Sequence, residues 1–401
     1  MQRTMTIVAL IVSLAASAAA YPVVPVYEDR DVAADCANAD PASELAGVGG
    51  DFELTADPQD PEGHLLYVSN MADGASSLVL ARLDGTTGQV LQGSLTTIAT
   101  NFDGQNDNGP EFVMQRDGVI GVIYSGIGGV HGVFRPQIPA NWNQFQFDVF
   151  GNPIRNDNPP VLTNTSDGAY PTVSLHIPQQ SDTYAQFFGS CSSRCYGNLY
   201  GGVTTDVSLQ MASLGLTVSS TAQSPREGYV FMSACDLAGA CGLYEGLITS
   251  GGIFFPGSVQ KLAPLLRAVK LYGLAAARHP LTGSTVVFSL VESATTAKVW
   301  EQSPTGGVLK LIGSVQIDAG THFRVELNDS EVVLNYLVFS GPDTGNYTVP
   351  VTAVGGNLAV GTNRQISTVA QGAELDWLPA ANRWALYYRS SDKLKRCWVT
   401  P

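Results

Sequence analysis

Four polar residues have the types and spacing needed to move a proton beside a carboxylate: Asn108, His131, Tyr170 and Arg194. A neutral histidine or a tyrosine transfers protons, while a guanidinium or an amide holds a carboxylate. A β-elimination on a uronic acid needs such a set, because removing the proton next to the carboxylate spreads negative charge onto it. We therefore expect His131 and Tyr170 to be catalytic, and Asn108 and Arg194 to bind substrate.

A second polar pair, His322 and Arg324, lies further along the chain, and we expect both residues to bind substrate as well. The residues of the first set also have structural interpretations, which the sequence leaves open. His131 is in a Gly-rich segment, where a histidine is often a plain loop residue. Arg194 stands between two cysteines, as at an exposed hairpin tip, and Tyr170 precedes a proline, where it can pack at the start of a strand.

These residues must be positioned by a frame of short strands. The stretch 108–126 predicts a loop, a strand over 111–115, a turn at Asp117-Gly118 and a strand over 119–124, which is a strong hairpin signal. Variants of this unit recur, with first strands expected at 52–56, 111–115, 171–176, 216–221, 273–278, 323–327 and 374–378. Seven units at a spacing of roughly 45 to 60 residues predict an all-β chain folded as a single seven-bladed β-propeller.

The order of strands in such a unit sorts the polar residues between two faces. Loops that enter a first strand, and hairpins between the second and third strands, emerge on one face. We expect His131 in the hairpin of unit two and His322 in the loop that enters unit six. Asn108 and Tyr170 enter first strands on the same face, and Arg194 is a hairpin tip there. The sequence therefore predicts one rim that carries the candidate site.

The two ends of the chain have separate signatures. Residues 1–20 combine an early arginine, an apolar run and a small-residue end, which predicts a secretory signal peptide followed by a propeller domain over 21–401. The last unit lacks a fourth strand, while residues 21–27 are β-rich and belong to no unit. We expect this N-terminal strand to complete the last blade and close the ring, because closure removes free strand edges.

Six cysteines in an exported chain predict three disulfides, although the sequence alone permits fifteen pairings. Two expected bridges are local and join Cys191 to Cys195 and Cys235 to Cys241. The third would join Cys36 to Cys397 and fasten the seam between the two ends.

Composition excludes several kinds of partner. The formal net charge of −14 disfavours nucleic acid and anionic lipid, and no mature segment has the roughly 18 apolar residues of a membrane span. We predict a secreted monomer whose partner is an extracellular polysaccharide. The run from Asp103 to Glu111 clusters oxygen ligands suited to Ca²⁺, but it lacks the EF-hand pattern, so we interpret it as a polar turn and predict no cofactor.

The segments Asn108-Gly-Pro-Glu-Phe and Gly168-Ala-Tyr-Pro-Thr-Val carry a repeat pattern that resembles the blades of TolB-like and WD40-like propellers. The set of His131, Tyr170 and Arg194 resembles that of seven-bladed polysaccharide lyases of the ulvan-lyase type, although these use a second histidine where this chain has Asn108. The resemblance implies a lyase that cleaves an acidic polysaccharide. The alternative is a non-catalytic propeller that binds a glycan or a protein on the same face.

Overall fold

The computed structural model describes the backbone of part of the chain: residues 23–24, 40–41, 48–56, 64–70, 77–90, 96–99, 111–114, 120–126, 129–134, 171–176, 184–188, 196–199, 205–206, 208–226, 228–248, 254–291, 295–317, 321–339, 341–368, 373–390 and 393–400. It describes side chains at Leu54 and in 83–90, 210–226, 228–248, 254–269, 273–291, 295–317, 323–339, 341–368, 373–388 and 394–400. Apart from one short helix and turns, these residues form β-strands.

Two short strands come first in the chain, β1 (Val23–Val24) and β2 (Asp40–Pro41). The first sheet contains β3 (Val48–Ala56), β4 (His64–Asn70), β5 (Ser77–Leu83) and β6 (Thr96–Ala99). The second contains β7 (Glu111–Met114), β8 (Ile120–Gly126) and β9 (Gly129–Phe134). The third contains β10 (Pro171–His176), β11 (Tyr184–Phe188), β12 (Tyr196–Leu199) and β13 (Thr205–Asp206).

The helix α1 (Ser208–Ser213) leads into the fourth sheet, which contains β14 (Leu216–Gln223), β15 (Tyr229–Asp236), β16 (Cys241–Leu247) and β17 (Gln260–Leu265). The fifth contains β18 (Val269–Arg278), β19 (Thr285–Val291), β20 (Thr296–Gln302) and β21 (Lys310–Gln316). The sixth contains β22 (Thr321–Leu327), β23 (Glu331–Val338), β24 (Gly345–Val354), β25 (Asn357–Val360) and β26 (Arg364–Ser367). The seventh contains β27 (Ala373–Leu378), β28 (Arg383–Ser390) and β29 (Lys393–Val399).

The strands assigned above to each of the seven sheets are antiparallel and follow one another in chain order, and the sixth sheet adds β26 beside β24. The short strands β1 and β2 join the edges of two of these sheets out of chain order. The first strand of each sheet contacts the first strand of the next sheet, from β3 through β27, and β27 also contacts β3. The described part of the chain is therefore nearly all β and is consistent with a β-propeller-like fold. No helix among the described residues is long and apolar enough to cross a membrane.

The difference between central and edge strands explains how these sheets pack. Every residue of β19 is buried, and β23 is buried after its first residue, because neighbouring sheets cover both faces of these central strands. The outer strand β21 instead mixes buried with half-exposed residues. Phe288 of the fifth sheet and Tyr336 of the sixth meet in one buried cluster. Leu386 of the seventh sheet packs in a cluster with Val333 of the sixth.

The first and last sheets also meet directly. Leu54 and Leu83 pack in one buried cluster with Leu378 and Tyr387. The Tyr387 hydroxyl donates a hydrogen bond of 2.9 Å to the Gly88 carbonyl, across 299 residues of sequence. Gly88 has a φ of 66°, and a Cβ atom there would lie 2.7 Å from that hydroxyl, so this turn requires glycine.

The predicted partner of the N-terminal strand is wrong. The two valines of β1, inside the predicted segment 21–27, pair in parallel with Ser314 and Val315 of β21 in the fifth sheet. The segment that pairs with the last sheet is β2, whose Asp40 lies opposite Arg396 of β29. Because β2 occupies the edge of β29, the β-branched residues of β1 add to the open edge of β21 instead.

Candidate functional site

The site is built on the beginning of β22, the first strand of the sixth sheet. Thr321 pairs with Leu337, but the next residue pair is Arg324 with Asn335, so the register shifts between Thr321 and Arg324. His322 therefore lies in a β-bulge. Such bulges change the direction of side chains and are common next to functional sites.

Packing fixes the strand on either side of this bulge. Phe323 is buried against Tyr336, with ring centroids 5.8 Å apart, and Tyr336 stacks on Tyr347 at 5.3 Å. Val325 also packs against this cluster. Because side chains alternate along a strand, Arg324 lies on the other face of β22 from Phe323 and Val325. The backbone that carries Arg324 is therefore held by apolar contacts.

Arg324 forms an ion pair with Glu374 of β27, which connects the sixth sheet to the seventh. Its Nη1 donates to both carboxylate oxygens of Glu374. The Glu374 side chain is 5% exposed, whereas 34% of the Arg324 side chain stays exposed. A guanidinium held in this way keeps a fixed position while part of it faces solvent.

A second carboxyl group, that of Asp376, lies two residues after Glu374 on the same strand. Glu374 and Asp376 alternate with the apolar Leu375 and Trp377, so the two acids share one face of β27. Burial raises the pKa of Asp376 to about 8. Burial also raises the pKa of Glu374, helped by the Asp376 charge and opposed by Arg324. We call Arg324, Glu374 and Asp376 the inter-sheet cluster.

Other titratable groups stand near this cluster in the seventh sheet. Tyr387 of β28 lies opposite Glu374, and Arg396 of β29 lies opposite Tyr387. Burial raises the pKa of Tyr387, with a smaller contribution from Asp376, so this phenol stays neutral. Asp84, in the turn after β5, is a further charge that acts on Tyr387.

The structure places two predicted site residues in strands. His131 is the third residue of β9 and pairs with Tyr124 of β8, so it lies in the hairpin between the second and third strands of unit two, two residues after the Gly126–Gly129 pair next to the turn. His322 is the second residue of β22 rather than part of the loop before it, because pairing begins at Thr321.

The other three residues of the first predicted set lie outside the described residues. Tyr170 immediately precedes β10, Asn108 comes three residues before β7, and Arg194 comes two residues before β12. The first strands β7 and β10 contact each other, so the second and third sheets are neighbours, as the predicted site requires. The roles of these residues remain predictions.

Sequence reasoning missed two residues of this site, Glu374 and Asp376. The signal that could have found them is a pair of acids at alternate positions of the expected inner strand 374–378.

The predicted bridge between Cys235 and Cys241 is confirmed, and it joins directly opposite residues of β15 and β16. Cys397 is also in a disulfide. Its partner lies outside the described residues, so Cys36 remains the predicted partner. The predicted bridge between Cys191 and Cys195 lies outside them too.

Metal binding has little support where side chains are described, since no group of three or more His, Cys, Asp or Glu residues there could hold a metal ion. The acidic run predicted as a polar turn, Asp103 to Glu111, lies outside the described residues except for the backbone of Glu111 in β7.

Comparison with known proteins gives no family. No family model matches the chain, and no curated protein does. Solved structures that are similar include an oligogalacturonate lyase in complex with manganese, at 12% identity and a TM-score of 0.48, covering 88% of this chain and 90% of that one. An oligogalacturonate lyase from Vibrio parahaemolyticus has 9% identity and a TM-score of 0.48, with 90% and 92% covered. A candidate 6-phosphogluconolactonase from Bacteroides uniformis has 12% identity and a TM-score of 0.45, with 83% and 94% covered. Because the identities are 9–12% and the TM-scores are below 0.5, none of the three determines the fold or the chemistry of this chain.

Proposed function

We propose that this chain is a secreted, seven-bladed β-propeller that cleaves a uronate-containing polysaccharide by β-elimination. The order in which the seven first strands contact one another, with β27 against β3, supports a closed ring. In such a ring the beginnings of the first strands surround one mouth, where the candidate residues would meet.

The observation that carries the proposal is that Arg324 is partly exposed and paired with a buried carboxylate. The protein has a formal net charge of −14, so an anionic polymer needs a local cation if it is to bind. Arg324 is a cation on a first strand, one-third exposed and held by a buried carboxylate of the next sheet. A guanidinium matches a carboxylate in two-point geometry, which favours a uronate over a neutral sugar.

The reaction then divides among the proposed residues. A base takes the C5 proton of the uronate, the electron pair of that C–H bond forms the C4–C5 double bond, and the C4–O bond breaks. The departing oxygen takes a proton. We assign the two proton transfers to His131 and Tyr170, and the stabilisation of charge on the carboxylate to Arg194 with the amide of Asn108. Arg324, with His322, would hold a uronate of the same polymer.

To test the activity, the protein is incubated with a panel of uronate-containing polysaccharides, and the absorbance of the unsaturated product is measured. We expect product from at least one polymer. Tyr170→Phe should lower kcat by roughly 10² to 10⁴ and leave the fold intact, which is the usual scale for one proton-transfer group. Binding without product from any polymer would instead identify a non-catalytic glycan-binding propeller.

A matched pair of variants tests the contribution of Arg324. Arg324→Ala should raise KM for an anionic polymer, and more strongly at low salt, where the charge is least screened. Arg278 is the control, because it is an exposed arginine at the far end of the first strand β18. Equal KM values for Arg324→Ala and Arg278→Ala would contradict a role for Arg324 in binding.

A further inference from the structure

We propose that the inter-sheet cluster is a proton-dependent binding site for the carboxylate of a uronate, in which Glu374 controls whether Arg324 is available to the ligand. This inference rests on the proposed function for its substrate class and deepens it. It adds a role for two residues, Glu374 and Asp376, that the catalytic assignment does not use.

The first step concerns competition for one guanidinium. Glu374 receives hydrogen bonds from Nη1 of Arg324 on both of its oxygens. While Glu374 is ionised, it balances the charge of Arg324, so an arriving carboxylate gains little electrostatic attraction. When Glu374 is protonated, the positive charge of Arg324 is no longer balanced by its neighbour and attracts an anion. The same residue thus orients Arg324 and limits its affinity for anions.

The second step concerns where the proton resides. Glu374 and Asp376 are both buried, at 4% and 8% exposure, and they share one face of β27. Two buried carboxyl groups this close in sequence resist double ionisation, so the first proton taken up is retained well above the ordinary range of carboxyl groups. The pKa of Asp376, raised to about 8, and the upward shift of the pKa of Glu374 agree with this geometry.

Other titratable groups also surround β27, but we assign the pH dependence of anion binding to Glu374 and Asp376. Tyr387 lies opposite Glu374 and interacts electrostatically with Asp376, Arg396 and Asp84, and the raised pKa of Tyr387 keeps that phenol neutral. By position, β3 adds Asp51 and Glu53, and β22 adds His322 and Glu326, while β23 places the non-titrating Asn335 opposite Arg324. Among these groups, Glu374 is the one whose carboxylate accepts hydrogen bonds from Arg324.

The sign of the linkage follows. If binding an anion at Arg324 favours the protonated form of this pair, affinity should be highest at low pH and should fall as the pH rises through the raised pKa values of the pair, of which that of Asp376 is about 8. The fall can reach about tenfold per pH unit for one coupled proton. Below these pKa values the affinity should be constant.

Galacturonate is a suitable probe, because it carries the carboxylate but has no glycosidic bond to cleave. Galactose is its neutral control. We expect calorimetric titration of the full chain to show binding of galacturonate with net proton uptake at about pH 8 and above, where the free chain has lost the proton, measured in buffers of different ionisation enthalpy. Affinity should decrease with pH, and galactose should show no such dependence.

Two variants then separate a proton-dependent site from a structural contact. Glu374→Gln mimics the protonated residue, so above pH 8 it should bind galacturonate as tightly as the wild type does at low pH, without proton uptake. Arg324→Ala should lose this binding. Glu301→Gln is the control, because Glu301 pairs with Lys310 at 3.8 Å in the fifth sheet, so it should behave as the wild type.

The proposal is overturned if Glu374→Gln keeps the pH dependence of the wild type, if Arg324→Ala binds normally, or if galacturonate does not bind between pH 4 and 9. These outcomes are independent of the lyase assay. If the protein forms product but binds galacturonate independently of pH, the proposed function is supported and this inference is wrong. If galacturonate binds with the expected pH dependence but no polymer gives product, the binding site is supported and the proposed catalysis is wrong.

Discussion

The protein contains two ion pairs with similar burial and different surroundings. In the fourth sheet, Arg226 and Glu245 are 23% and 4% exposed, with a distance of 2.6 Å between Nη1 and Oε2. Between the sixth and seventh sheets, the Arg324 and Glu374 side chains are 34% and 5% exposed. Both carboxylates are buried and both arginine side chains are partly exposed, so burial alone does not distinguish the two pairs.

Their neighbours do distinguish them. Glu245 also receives hydrogen bonds from the Ser224 hydroxyl at 2.8 Å and from Nε2 of Gln302 at 3.2 Å, and Arg226 lies 3.9 Å above the Tyr229 ring. Glu374 instead has a second buried acid, Asp376, on its own strand. A buried carboxylate surrounded by donors is a structural element, whereas one beside a like charge holds a proton that a ligand can exchange.

The largest effect that this comparison predicts is on stability. Glu245→Ala should lower the free energy of unfolding by about 3 to 5 kcal/mol, because it removes the carboxylate that pairs with Arg226 and accepts hydrogen bonds from Ser224 and Gln302. Above pH 8, where Asp376 is ionised, Glu374→Ala should cost less, since it also removes an unfavourable interaction with that charge. Urea unfolding at about pH 9 measures both. Equal losses would show that the two pairs are energetically alike.

The next effect is on the pH dependence of stability. Because the pKa of Asp376 is about 8 in the folded chain and 3.8 is its ordinary value, the folded chain holds a proton that the unfolded chain releases. The proton on Asp376 therefore stabilises the folded chain fully below about pH 4. This stabilisation declines as the pH rises to about 8, by at most about 1.4 kcal/mol per pH unit. Asp376→Asn should flatten this decline in urea unfolding between pH 5 and 8. If the free energy of unfolding of Asp376→Asn declined with pH as steeply as that of the wild type, the proton would be held by a residue other than Asp376.

The smallest effect tests whether neutral contacts also hold the seventh sheet. Tyr387→Phe removes the hydrogen bond to the Gly88 carbonyl but keeps the ring in its apolar cluster. We expect a loss of about 1 kcal/mol, independent of pH below 8, because the phenol stays neutral there. Thermal unfolding at two pH values measures this loss. A strongly pH-dependent loss would link Tyr387 to the charges of the inter-sheet cluster.

Local signals predicted the strands better than they predicted the site. The apolar run at 285–290 is β19, and the run at 383–388 lies in β28, because central strands of packed sheets are continuously apolar. The pairing of Arg324 with Glu374 spans 50 residues and depends on how two sheets meet, which no local pattern encodes. The place of His322 in a bulge and the partner of β1 are likewise set by register and by open edges, not by residue type.

The contact between the first and last sheets has a consequence for how the protein is made. Leu54 and Leu83 are buried in one cluster with Leu378 and Tyr387, which lie close to the end of the chain. A growing chain therefore lacks these buried contacts until nearly all of it has been synthesised, since contacts between distant segments form late. A premature stop before residue 378 would leave the first sheet without its neighbour and prone to aggregation.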